Sequence, residues 1–265
     1  MCRLPLYHVD AFADRLFAGN PAAVVPLPAW RDDATLLAIA AENNLSETAF
    51  LIPEAEGFAL RWFTPAVEVD LCGHATLAAA WVVFHHLRPE WQSVRFTTAS
   101  GPLTVHRVGD ALRMDFPARP PRPAPVPPGL SEALGTAPAE MFEADGENVL
   151  VVLETPAALR ALRPDVRALA AGLGHGVIVT APAGPTDGAD FLSRYFAPAY
   201  GIDEDPVTGS AHCTLAPYWA ARLGHPEVTG FQASARGGWV ACRLDGDRVH
   251  LTGTVIPYLI GEITP

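Results

Sequence analysis

Two kinds of apolar spacing alternate along the chain. TLLAIAAEN from Thr35 and ALRALRPDVRALAAGL from Ala158 place apolar residues three and four apart, which predicts an amphipathic helix in each stretch. Short β-rich runs follow, TAFLI and LRWFT after the first, GVIVT and SRYFA after the second, and these predict strands. Each series then reaches a glycine and a run that is apolar on nearly every side, ATLAAAWVVFHHL from Ala75 and SAHCTLAPYWAARL from Ser210. A helix without a polar face has to be buried, so each is expected inside its own domain, wrapped by that domain's strands.

Individual residues repeat as well as elements. FALRWFTPA from Phe58 and FLSRYFAPA from Phe191 agree in Phe, Arg, an aromatic, Phe, Pro and Ala at a constant offset of 133. CGHATLA from Cys72 faces TGSAHCTLA from Thr208 with the glycines 136 apart, and Ser100-Gly101 faces Arg236-Gly237 at the same offset. Matches kept in one order over more than forty residues indicate an internal duplication, hence two related α/β domains. Between them PARPPRPAPVPPG, from Pro117 to Gly129, has seven prolines in thirteen residues and can hold neither a helix nor a central strand. The expected division is a first domain at 1–117, a proline-rich linker at 118–129 and a second domain at 130–265, whose last strand can return to the first.

Composition narrows the chemistry. The chain has 265 residues, 49% hydrophobic and 18% charged, with a formal net charge of -11, the balance of a globular protein with a large core. All 18 basic residues are arginine. Without lysine there is no Schiff-base enzyme and no GK[ST] phosphate loop, so catalysis has to run on carboxylates, His, Cys, hydroxyls or backbone dipoles. Eighteen Arg against 29 acids, with no basic run, argue against nucleic acid or an anionic membrane and for a small-molecule partner. MCRLPLYHVDAF lacks the features of a signal peptide, and no stretch approaches ~18 uncharged apolar residues, which leads to a cytoplasmic expectation. Cys2, Cys72, Cys213 and Cys242 have no CxxC spacing and no metal-like cluster with His, so buried reduced thiols are expected and neither a disulfide framework nor zinc.

Both buried helices start at a glycine, Gly73 followed by His74 and Gly209 followed by Ser210. Such starts can present unpaired N–H groups to an anion, or simply permit a tight turn. If the domains pack by pseudo-twofold symmetry, the two starts would meet in a cleft around one small carboxylated substrate. Glu47, at the entry to an apolar strand, has its counterpart near Gly174 to Gly176, so the duplication puts a carboxylate on one side only. Buried there, its pKa is expected to rise toward neutrality, suited to taking and giving a proton; the alternative is an exposed strand start. Asp205 approaches the Gly209 turn through Pro206 or belongs to a solvated acidic loop. His74 either caps its helix or polarises a substrate, and Asn20 forms a turn before Pro21 or touches the substrate. Cys72 has Thr208 as its counterpart, which disfavours racemisation by paired thiols.

These residues resemble the phenazine-biosynthesis-like (PhzF-like) family, relatives in fold of diaminopimelate epimerase. The resemblance spans nearly the whole chain through VDAF at Val9, GNPAAVV at Gly19, NLSETAFL at Asn44, RWFTPAVEVDLCGHATLAAA at Arg61, DPVTGSAH at Asp205 and QASARGG at Gln232. It implies an α+β fold of two pseudo-symmetric domains, each a curled mixed sheet around a central buried helix, a site between them and a homodimer. It also implies acid–base chemistry without a cofactor or metal, with Glu47 shifting the proton, His74, Asp205 and Ser210 in support, and Gly73 and Gly209 as main-chain donors. The expected function is an isomerase that moves a proton between carbons of a small carboxylated substrate. Epimerisation by Glu47 and Cys72 from opposite faces, and a non-catalytic small-molecule binding protein, are the alternatives.

Overall fold

The computed structural model describes residues 3–144, 148–172 and 174–265; Cys2 lies outside them. The chain forms two compact units, one of residues 1–115 together with 252–265, the other of residues 116–251. The proline-rich stretch thus belongs to the second unit, and the end of the chain to the first. No helix among the described residues is long and apolar enough to cross a membrane.

In the first unit β1 (Leu4–Ala11) and β2 (Asn20–Pro26) lead to helix α1 (Asp33–Asn43), then β3 (Glu47–Glu54), β4 (Gly57–Phe63) and the short β5 (Glu68–Val69). Helix α2 (Gly73–Val82) follows, then β6 (Ser93–Thr97), β7 (Leu103–Val108) and β8 (Ala111–Pro117). The second unit has β9 (Arg122–Pro123), α3 (Leu130–Leu134), β10 (Glu140–Ala144), β11 (Asn148–Val152), α4 (Pro156–Ala161), α5 (Val166–Gly172), β12 (Gly176–Pro182), β13 (Phe191–Ala197) and β14 (Ile202–Asp205). Helix α6 (Gly209–Leu223), β15 (Glu227–Gln232), β16 (Gly238–Asp245) and β17 (Arg248–Gly253) complete the series, and β18 (Val255–Ile263) pairs antiparallel with β1.

The duplication is written in the pairing. β2 with β3 is parallel, β3 with β4 antiparallel, β4 with β5 antiparallel, β4 with β6 parallel and β6 with β7 antiparallel. In the second unit β11 with β12, β12 with β13, β13 with β14, β13 with β15 and β15 with β16 repeat that sequence of senses. Each unit is therefore a mixed sheet with one long buried helix. Residues 74–82 of α2 are all buried, and the helix packs on β1, β2 and β3; its Ala-rich run favours a helix and lets strands come close. A π-helical turn, Val83–Leu87, ends it before Pro89. In α6, Pro217 has no N–H to give the carbonyl of Cys213, and the N–H of Arg119 from the proline-rich stretch donates to it instead, at 2.9 Å. That stretch is further held as an edge, with β9 on β10.

One expected element is corrected. The run from Ala158 is two helices, α4 and α5, because Pro164 breaks the ladder and Asp165 accepts hydrogen bonds from the N–H groups of Arg167 and Ala168 to start a new helix. The carbonyls of Leu159 and Leu162 at the end of α4 accept from the Arg194 guanidinium. Arg194 also makes a two-pronged pair with Glu204 at 2.7 and 2.8 Å and lies over Phe196. Its repeat partner Arg61 grips Glu68 with two bonds of 2.6 Å, reaches Asp33 on α1 and lies over Phe63. Each arginine thereby ties its strand to a helix of its own unit, Arg61 to α1 and Arg194 to the end of α4.

Removing the buried arginine leaves Glu204 and two carbonyls without it. Arg194→Met is expected to lower unfolding stability by about 3 kcal/mol in urea denaturation. Arg3→Met, which breaks an exposed pair with Glu262, is expected to leave it unchanged within error.

Candidate active site

Three of the residues singled out from sequence come together at the start of α2. Glu47 is the first residue of β3, opposite Ala22 of β2, and is 8% exposed, so its side chain lies inside the first unit. His74, the second residue of α2, is 5% exposed, and Asn20, the first of β2, is fully buried. Gly19 sets Asn20 in place: its φ is +69°, and a Cβ there would stand 2.3 Å from the carbonyl oxygen of Ala11. His74 Nε2 is 3.0 Å from Glu47 Oε2, but the two are not lined up as a hydrogen bond. His74 Nδ1 is 3.2 Å from Asn20 Nδ2 and 3.5 Å from Cys72 Sγ, and Ser46 Oγ donates to Asn20 Oδ1 at 3.2 Å.

The electrostatics correct one expectation. Burial does push the Glu47 carboxyl up, but the His74 ring and a hydrogen bond from Cys72 together outweigh it, and the pKa is lowered rather than raised toward neutrality. Burial opposes charge on His74, yet the neighbouring Cys72 and Glu47 raise its pKa well above the ordinary 6.5. Cys72 itself is pushed up to about 11 by burial and then by Glu47, so at neutral pH it is a thiol, and Glu47 accounts for the pull on the ring. The carboxylate is thus ionised and ready to accept a proton.

Cys72 precedes the helix in an extended conformation and closes it with no side-chain bond; Gly73, half-buried, is its first residue. The three cysteines among the described residues, Cys72, Cys213 and Cys242, are free and buried. Glu47, Cys72 and His74 offer oxygen, sulfur and nitrogen atoms within 4.8 Å of one another, the one group of three among the described residues able to hold a metal ion. The grouping is not visible from spacing alone, because Glu47 lies on another element from the Cys72-Gly73-His74 run.

The second unit has its own group around α6. Asp205 Oδ2 accepts from Thr208 Oγ1 at 2.5 Å, and the buried side chain of Gln232 donates to the Asp205 carbonyl and accepts from the Thr208 N–H. Gly209 is buried and Ser210 exposed, and the helix again starts with no side-chain cap. His212, one turn in, gives its Nδ1 to the Thr208 carbonyl at 2.8 Å, and burial pushes its pKa down to about 4. This ring is a neutral structural group, the opposite of His74. Ser46, Thr208 and Gln232 were not picked as site residues, and Cys72 only as a base in the epimerase alternative, although all four lie inside the motifs.

The sign of the pH response follows from the two shifts. Glu47, lowered, contributes stability above its ordinary value of 4.5 that is lost as pH falls through the folded value. His74, raised, contributes fully below its ordinary value of 6.5 and loses that as pH rises through the folded value. The stability gap between wild type and Glu47→Gln, read by urea denaturation, is therefore expected to be widest between pH 4.5 and 6.5 and to narrow on both sides. A gap independent of pH contradicts the pairing.

Comparison with known proteins bears on the same architecture. Residues 9–260 match the family model described as phenazine biosynthesis-like protein. An uncharacterized isomerase of Pseudomonas aeruginosa is 52% identical over 260 residues, covering 98% of each chain. The crystal structure of a phenazine biosynthesis protein of the PhzF family from Enterococcus faecalis superposes with a TM-score of 0.94 at 43% identity over 100% of both chains. A hydroxyproline epimerase from Agrobacterium vitis, 13% identical, shares the fold with a TM-score of 0.61 over 98% of this chain and 92% of its own. Duplicated topology, motifs in order and full-length identity agree, and the chain is an isomerase of the phenazine biosynthesis-like (PhzF) family.

Proposed function

We propose that this isomerase moves a proton between carbons of a small carboxylated substrate, with the Glu47 carboxylate as the base that takes the proton and returns it. The observation that carries this reading is the buried contact of Glu47 with His74, 3.0 Å apart at the start of a helix whose N-cap side chain makes no closing bond. Glu47 is ionised, so it can abstract a C–H proton. The neighbouring ring donates toward the carboxylate, and the N–H groups at the start of α2 favour negative charge that develops on the substrate as the proton leaves. Asp205, Gly209 and Ser210 form a comparable polar helix start in the second unit, proposed to bind substrate.

The same geometry speaks against epimerisation by two bases. Opposed bases must hold a carbon between them, each about 3–3.5 Å away, so they stand ~6 Å or more apart. Glu47 and Cys72 lie within 4.8 Å of each other. They form one side of a site, not two.

The test is solvent deuterium incorporation, by mass spectrometry, into a panel of small carboxylic and amino acids including dihydro-hydroxyanthranilate. Exchange or isomerisation is expected with wild type and is expected to fall by about 10²–10⁴ in Glu47→Gln. Ligands that bind both proteins equally, with no exchange in either, would instead identify a binding protein. Exchange lost in Cys72→Ala, with label confined to one stereocentre, would restore the epimerase reading.

A further inference from the structure

Asn20 lies wholly inside the first unit, and its amide meets Ser46 and His74. Oδ1 accepts from Ser46 Oγ at 3.2 Å, while Nδ2 faces His74 Nδ1 at 3.2 Å. An amide nitrogen only donates, so the ring nitrogen opposite it has to present a lone pair. The proton of the neutral ring is then on Nε2, the nitrogen that faces Glu47. We infer that Asn20, anchored by Ser46, is a positioning residue that places the proton of His74 on Nε2, toward Glu47. The inference rests on Glu47 as the base for its catalytic meaning: a ring that donates toward the carboxylate holds it ionised, whereas the other tautomer would set two lone pairs against each other.

The groups that face the ring come from three elements: Glu47 on β3, Asn20 on β2 and Cys72 at the cap of α2. Cys72 Sγ stands 3.5 Å from the same Nδ1, but its single S–H also has Glu47 within reach, so the tautomer rests on Asn20. A second proton on the ring would appear at Nδ1, directly against the amide nitrogen. The amide then has to turn its oxygen inward, and the Ser46 hydroxyl permits that because it accepts as well as it donates. The orientation of one buried amide thus follows the charge of His74. Asp at position 20, a pure acceptor, would hold a proton on Nδ1 at all times.

Long-range ¹H–¹⁵N correlation spectra of labelled protein read the tautomer without any substrate, with the His74 signals assigned by their loss in His74→Asn. Above the His74 midpoint the wild type is expected to show the Nε2–H form. Asn20→Asp is expected to keep Nδ1 protonated and to raise the midpoint by about one pH unit or more. Ser46→Ala, which retains the amide but frees it, is expected to give averaged signals of both tautomers and covers the case in which the buried Asp prevents folding. An Nδ1–H form in wild type, or wild-type patterns in both variants, overturns the inference. Exchange that survives Glu47→Gln while the Nε2–H form is intact overturns the catalytic reading alone.

Discussion

A helix buried on every side demands a partner for each polar group it carries, and the polar residues of this protein's buried helices are arranged around that constraint. In α2 every residue from His74 to Val82 is buried, yet the first of them is a histidine that Glu47, Asn20 and Cys72 surround. Such a cluster is tolerable only because each member partners another; an isolated buried charge at the same place would be neutralised or expelled. The helix start, where N–H groups lack intrahelical partners, is also where a carboxylate and a substrate anion gain most from the backbone.

Duplication supplied two such starts and the units then diverged in charge while keeping their frame. The frame is the repeated order of strand senses and the arginine clamp, Arg61 with Glu68 and Arg194 with Glu204. The divergence lies within a few residues of each glycine. Where the first unit has Cys72 and a histidine drawn toward charge, the second has Thr208, held by Asp205 and Gln232, and a histidine kept neutral by burial. One copy sets a carboxylate beside a ring drawn toward charge, and the other keeps an acidic side chain and a helix start in place.

Much of this was legible in the sequence, since apolar periodicity and repeated spacing depend on local geometry. The buried helices, the strands around them and the shared glycine turns follow from those patterns, and the motifs brought Glu47, His74 and Asn20 to attention. What escaped is in one case local and otherwise depends on neighbours distant in the chain. Pro164 and Asp165 split a helix whose apolar spacing runs straight through them. The direction of the Glu47 shift turned on His74 and Cys72, which lie on another element, so burial alone gave the wrong sign. The role of Ser46 was hidden for the same reason, because its partner Asn20 sits on a different strand.

The pairing of β18 with β1 has a consequence for how the chain is made. The first unit's sheet takes in Leu4 to Ala11 at one moment of synthesis and Val255 to Ile263 only after the whole second unit has been translated. Until then β1 has β2 as its partner on one side and an open edge on the other, the kind of edge that invites pairing with another chain. On the ribosome the second unit can therefore finish first although it is encoded later, and the first must wait for the tail before its sheet is whole.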